Sequence, residues 1–108
     1  MNDLIKEILS WHKETFPNAT EEAVSAKLLE ETHELWCELV NHEITRSTKS
    51  EAEMLDEIAD VFIVATSYIN MRSGGEVSIL DIIEKKMERN KQRVWGPEDA
   101  NGDRRRVK

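Results

Sequence analysis

The sequence predicts an all-α, four-helix bundle that oligomerises through a shared helical core. Three observations predict it. Two prolines and four glycines in 108 residues leave little turn chemistry for an all-β fold. Apolar residues recur at helical spacing in four segments, each bounded by capping or breaking residues. One of those segments, from Ile58 to Met71, is apolar nearly all round, and a helix apolar on all sides is buried on all sides. One chain of this size has too few helices to cover it, so helices of two chains are expected to share a core.

The first helix is predicted over Asp3–Thr15, where Leu4, Ile5, Ile8, Leu9 and His12 repeat at helical spacing and Phe16-Pro17 ends the run. The second spans Glu21–Ile44, with Thr20 as N-cap, Glu21 and Glu22 complementing the dipole, and Val24, Leu28, Leu35 and Leu39 as its stripe. The third starts after Ser50, in a capping box with Glu53, and runs to Met71 before Gly74-Gly75. The fourth starts after Ser78, boxed with Asp81, and runs to Val94 before Gly96-Pro97. Residues 1–97 thus form one helical domain, and the polar, basic tail 98–108 is expected to be loose or partner-bound.

The net charge is −7, split into −12 over residues 1–84 and +5 over residues 85–108. So acidic a body disfavours nonspecific nucleic-acid binding. It suits metal ions in the body and a small phosphorylated ligand at the basic end, or an acidic solvated surface with a disordered basic tail, and charge alone favours the second. No stretch approaches the roughly 20 apolar residues of a membrane span, and Met1–Ser10 does not read as a signal peptide. The lone Cys37 fits a reducing, cytoplasmic setting.

Asp60 is the only charged residue between Glu57 and Arg72, and Glu57 falls between Val64 and Tyr68 on the helical wheel. Three apart, the two acids share a face. Two carboxylates on one buried face repel each other and need a cation. The second helix supplies a matching pair, Glu31 and Glu34, at the edge of its apolar stripe with Glu38 and Lys27 on the same flank. Packed side by side, the two helices would gather Glu31, Glu34, Glu57 and Asp60 into an all-oxygen cage suited to Mg²⁺ or Mn²⁺. A di-iron reading of Glu30 and His33 at i, i+3 lacks its second Glu-x-x-His pair.

On the fourth helix Lys86, Asn90 and Arg93 form one polar strip with two positive charges, a candidate phosphate site. Three tryptophans stand among six aromatics; Trp11 and Trp95 are candidates to stack on a nucleobase, and Trp36 reads as core or interface.

Lys27-Leu-Leu-Glu30-Glu31-Thr-His-Glu34-Leu, followed after a spacer by Asp56-Glu57-Ile-Ala-Asp60-Val, resembles the signature of the MazG-like all-α nucleoside triphosphate pyrophosphohydrolases. The segment from Lys86 to Asp99 is similar to the C-terminal part of a phage and bacterial subgroup linked to dATP/dGTP hydrolysis. The resemblance implies a MazG-like bundle working as a homodimer or homotetramer, with Mg²⁺ on Glu31, Glu34, Glu57 and Asp60. It implies cleavage of a (d)NTP between the α and β phosphates to give (d)NMP and pyrophosphate. Glu30 or Glu34 would take the proton of the attacking water, while Lys27, Lys86, Asn90 and Arg93 would hold phosphates. The alternative is a non-catalytic, Mg²⁺- or nucleotide-binding helical oligomer with a regulatory role. It has no need for all four acids.

Overall fold

The computed structural model describes residues 2–107, which form α1 (Asp3–Thr15), α2 (Glu21–Thr45), α3 (Thr48–Arg72) and α4 (Ile79–Gln92). The chain is all-α, as predicted. Among the described residues the sole β-type pairing is a bridge between Trp95 and Arg106.

Local chemistry accounts for each boundary. The Asn2 side chain accepts a hydrogen bond from the Leu4 amide at 2.8 Å and starts α1. Thr20 caps α2, its hydroxyl accepting from the Ala23 amide at 3.1 Å. The α3 cap lies earlier than the sequence reading placed it. Ser47 is the N-cap and Ser50 its box partner, with bonds of 3.0 and 3.1 Å, so Glu53 has no capping role. Ser50 Oγ is also 2.8 Å from His42 Nδ1, which ties the cap to the end of α2. After α3, Gly74 and Gly75 take positive φ, and the Gly75 amide donates to Asn70 O at 2.8 Å. The Ser78–Asp81 box opens α4 as expected.

Two further expectations are corrected, the end of α4 and the loose tail. The last helix stops at Gln92, because Arg93 turns extended and Val94–Gly96 pair with the segment predicted to be loose. There the Val107 amide donates to Val94 O at 2.8 Å and the Gly96 amide to Arg105 O at 2.7 Å. The Asp99 carboxylate accepts from the Asn101 and Asp103 amides to hold the turn.

Helix α3 is the hub, with α2 packed antiparallel along it and α1 and α4 each packed against it. As expected of one chain, these neighbours do not cover it on all sides: Leu55 and Ile58 are 54% and 45% exposed, and Asp60 is exposed as well. Among the described residues only Ile5, Ile8, Val24 and Ile79 are buried apolar residues. The chain's accessible surface is 8360 Å², where about 6,200 Å² is usual for a folded monomer of this mass. Its radius of gyration is 16.9 Å, where about 13 Å is usual. A single chain therefore leaves much of its apolar surface uncovered.

Candidate metal centre and adjoining cavity

The site is built by the hairpin of α2 and α3. Each of these helices has 25 residues, and only Arg46 and Ser47 join them. Arg46 takes the left-handed conformation (φ 46°, ψ 35°) and its amide donates to His42 O. So short a turn fixes which turns of the two helices face each other. It places Glu31 against Glu57 and Asp60, and one carboxylate oxygen from each lies within 4.8 Å of the others.

The three carboxylates differ in environment. Glu31 is 6% exposed; its Oε1 lies 3.1 Å from Lys27 Nζ, and its Oε2 has no partner. Glu57 is half-buried, and its Oε2 is also unpartnered. Asp60 is exposed and borders a cavity rather than the core. Burial pushes the Glu57 carboxyl up to about 7, aided by the charge of Glu34, a hydrogen bond with Glu31, and the charges of Glu31 and Asp60. The Lys27 ammonium is held above its ordinary value, chiefly by its hydrogen bond to Glu31 and then by Glu30. One lysine cannot neutralise this many acids. Unpartnered buried carboxylate oxygens, all hard donors, fit a divalent cation such as Mg²⁺ or Mn²⁺.

The structure brings together three of the four predicted ligands. Glu34 is exposed and outside the 4.8 Å group, though its charge is the second strongest influence on Glu57. Glu30 sits 3.8 Å from Lys27 Nζ. Glu38, one turn beyond Glu34, is half-buried with an unpartnered Oε2 and extends the acidic row.

A cavity of about 480 Å³ adjoins the carboxylates, with Lys27, Glu31 and Asp60 in its wall beside Trp11, His12, Phe16, Val24 and Ser67. Trp11 and Phe16 meet edge to face at 5.9 Å, and His12 lies 5.4 Å from Phe16. Trp11 thus presents aromatic surface in the cavity wall. His12, Phe16 and Ser67 went unrecognised in the sequence as site residues. His12 and Phe16, one turn apart at the end of α1 and next to Trp11, were the available signal for the first two, and Ser67 offered none.

Lys86, Asn90, Arg93 and Trp95 do not line this cavity. Asn90 Oδ1 accepts from Arg93 at 3.1 Å, and the Trp95 indole donates to Asn90 O at 3.0 Å. Lys86 is held below its ordinary pKa by the positive charges of Arg93, Arg89 and Arg106 together with partial desolvation. The basic strip is therefore a concentrated cationic patch on α4 and the C-terminal hairpin, outside the cavity wall, and among the described residues neither Lys86 nor Arg93 forms an ion pair with a carboxylate of its own chain. Trp36 is 62% exposed and stacks on His33 at 6.2 Å, so it belongs to the surface of a single chain and not to its core.

The model of the MazG nucleotide pyrophosphohydrolase domain matches residues 19–95. Among solved structures the chain is similar to a cyanophage S-2L MazG-like pyrophosphohydrolase bound to dGDP and three catalytic Mn²⁺ ions per active site. The identity is 26%, with 98% of this chain and 95% of that chain covered and a TM-score of 0.57. No curated protein matches the chain significantly.

Proposed function

The chain belongs to the MazG nucleotide pyrophosphohydrolase family, and from that premise we propose that it is a Mg²⁺-dependent enzyme cleaving (d)NTP to (d)NMP and pyrophosphate, in a housecleaning or pool-controlling role. One observation carries the reading: the unpartnered Glu31 and Glu57 oxygens, grouped with Asp60 beside a cavity of nucleoside size. The cyanophage relative, with dGDP and Mn²⁺ in its active site, supports the same ligand classes here.

Glu31, Glu57 and Asp60 hold the cation, and Glu34 joins them by a side-chain rotation open to an exposed residue. Divalent metal there supplies Lewis acidity, orients water and neutralises phosphate charge. Glu30 and Glu34, both exposed beside the cage, are placed to accept the proton of the attacking water. Lys27 holds Glu31 in its rotamer and offers a positive charge to the substrate at the cavity wall. Trp11 stacks on the base. Lys86, Asn90 and Arg93 hold the leaving pyrophosphate. Because they stand outside the cavity of their own chain, they would serve the cage of a neighbouring copy in an assembly. The uncovered apolar surface of α3 supports such a homodimer or homotetramer. Among the described residues no helix is long and apolar enough to cross a membrane. With its free Cys37, the chain suits the cytoplasm.

Incubation with a panel of NTPs and dNTPs plus Mg²⁺, followed by product identification, tests the reading. A monophosphate and pyrophosphate are expected. A chain that binds nucleotide and metal but turns over none of the panel would instead be the regulatory binding protein.

A further inference from the structure

The cavity beside the carboxylates contains a group that the chemistry above does not use. Ser67 is 1% exposed, and its Oγ has no hydrogen-bond partner in the chain. Its neighbour Thr66 is equally buried but donates its hydroxyl to Phe62 O, one turn back, at 2.8 Å. Ser67 makes no such bond. It lines the cavity of about 480 Å³ and also an adjoining one of about 400 Å³ that shares His12, Phe16 and Ala19. A buried hydroxyl left unpaired is unfavourable. At this exposure a second copy docking on the outer surface cannot reach it, whereas a ring seated against the cavity wall that Ser67 helps to form reaches it after a small side-chain shift.

Position along α3 says which part of a ligand. Ser67 follows Asp60 by seven residues, so the two share one face about 10 Å apart along the axis. That is the span of a nucleoside from its 5′ phosphate to the far edge of its base. On α2, Ala23, Lys27 and Glu31 form a parallel wall, the small Ala23 leaving room for a ring. Trp11 and Phe16 supply aromatic surface for the ring face.

We propose that Ser67 is a specificity-determining residue whose hydroxyl hydrogen-bonds the polar edge of a nucleobase seated in this cavity. The inference rests on the nucleotide reading above. Bases differ in the donors and acceptors along that edge, so a single buried hydroxyl with one favoured arrangement ranks them.

The test is calorimetric titration of the full chain with each of the four deoxynucleoside monophosphates in Mg²⁺. Wild type is compared with Ser67→Ala and, at nearer volume and weaker hydrogen bonding, Ser67→Cys. Wild type is expected to prefer one base; both variants should lose about 3- to 10-fold in affinity for it and bring the four within about twofold of one another. Mn²⁺ affinity should be unchanged, and Ser67→Ala should melt no lower than wild type, because an unpaired hydroxyl has been removed. A base preference that survives both substitutions overturns the proposal, as does a wild type that binds all four alike or none. Product analysis with triphosphates judges the pyrophosphohydrolase reading separately. Ser67-dependent binding without pyrophosphate release would sink that reading alone, and hydrolysis with an unaltered base ranking in the variants would sink this one alone.

Discussion

Glu31 and Glu57 meet across the α2–α3 groove with one oxygen of each within 4.8 Å of the other, and Oε2 of both carboxylates has no hydrogen-bond partner. Such a pair resists double ionisation and is relieved by a cation. Metal and proton therefore compete for the same oxygens, and the predictions below follow from that competition and from what surrounds it.

Asp60 is the exposed member of the group, so its neutralisation does not disturb the core. Asp60→Asn should leave the fold intact, keep the metal-free melting temperature at or above that of wild type, and lower Mg²⁺-dependent turnover by more than about 100-fold. Circular dichroism with a steady-state assay checks both halves. Full activity would remove Asp60 from the ligand set.

Without metal, the raised Glu57 pKa sets the sign of the pH dependence. The folded value is about 7 against an ordinary 4.5, so the folded chain holds this proton more tightly than the unfolded one. The associated stability is fully present below the unfolded pKa and is lost as pH rises through about 7. In chelator, melting temperature should therefore fall across that window, and Glu57→Gln should flatten the fall. With Mg²⁺ present the trend should reverse, since the ion binds the deprotonated form. Differential scanning fluorimetry over the pH range, with and without EDTA, reads all three.

The uncovered face of α3 predicts assembly. Light scattering should give at least twice the 12.5 kDa chain mass. Ile58→Glu places a charge where a single chain already exposes 45% of the residue, so the isolated fold tolerates it while a shared core does not. A wild-type monomer at micromolar concentration would contradict the shared core.

Bond choice separates pyrophosphohydrolysis from phosphatase chemistry. In water enriched in ¹⁸O, label should enter the monophosphate. Label in orthophosphate alone would mean attack at the γ-phosphate. Arg93→Ala should weaken the reaction by about 1.5–3 kcal/mol, the worth of a hydrogen bond to a charged group, without altering metal binding.

The helices were legible in the sequence because their signals are local. Thr20 and the Ser78–Asp81 box act on backbone within three residues, and both were found in place. Ser47 was missed because Ser50 offers the same chemistry, and the choice between them depends on His42 across the turn. The hairpin after α4 carried one signal, the Asn101-Gly102 pair with Gly102 at positive φ, which the surrounding basic run obscured. Glu57 and Asp60 could be read because charge inside an apolar helix demands a partner, and Glu31 because it borders the apolar stripe of the facing helix. The exposure of Asp60 could not, since a wheel shows which face a residue occupies but not how much of that face one chain covers. Ser67 gave no signal in the sequence, because its missing partner is visible only once the neighbouring helices are in place.

The turn at Arg46 and Ser47 also carries a consequence for how the sequence can vary. Both halves of the cage lie on one local hairpin, so the site's register is set by chain length between them rather than by distant contacts. One residue inserted into a helix at that turn would rotate everything beyond it by about 100° and advance it by about 1.5 Å, turning Glu57 and Asp60 away from Glu31. Surface loops ordinarily absorb such insertions. Here the connection behaves as a ruler, and chains that keep this cage are free to change the composition of the turn far more than its length.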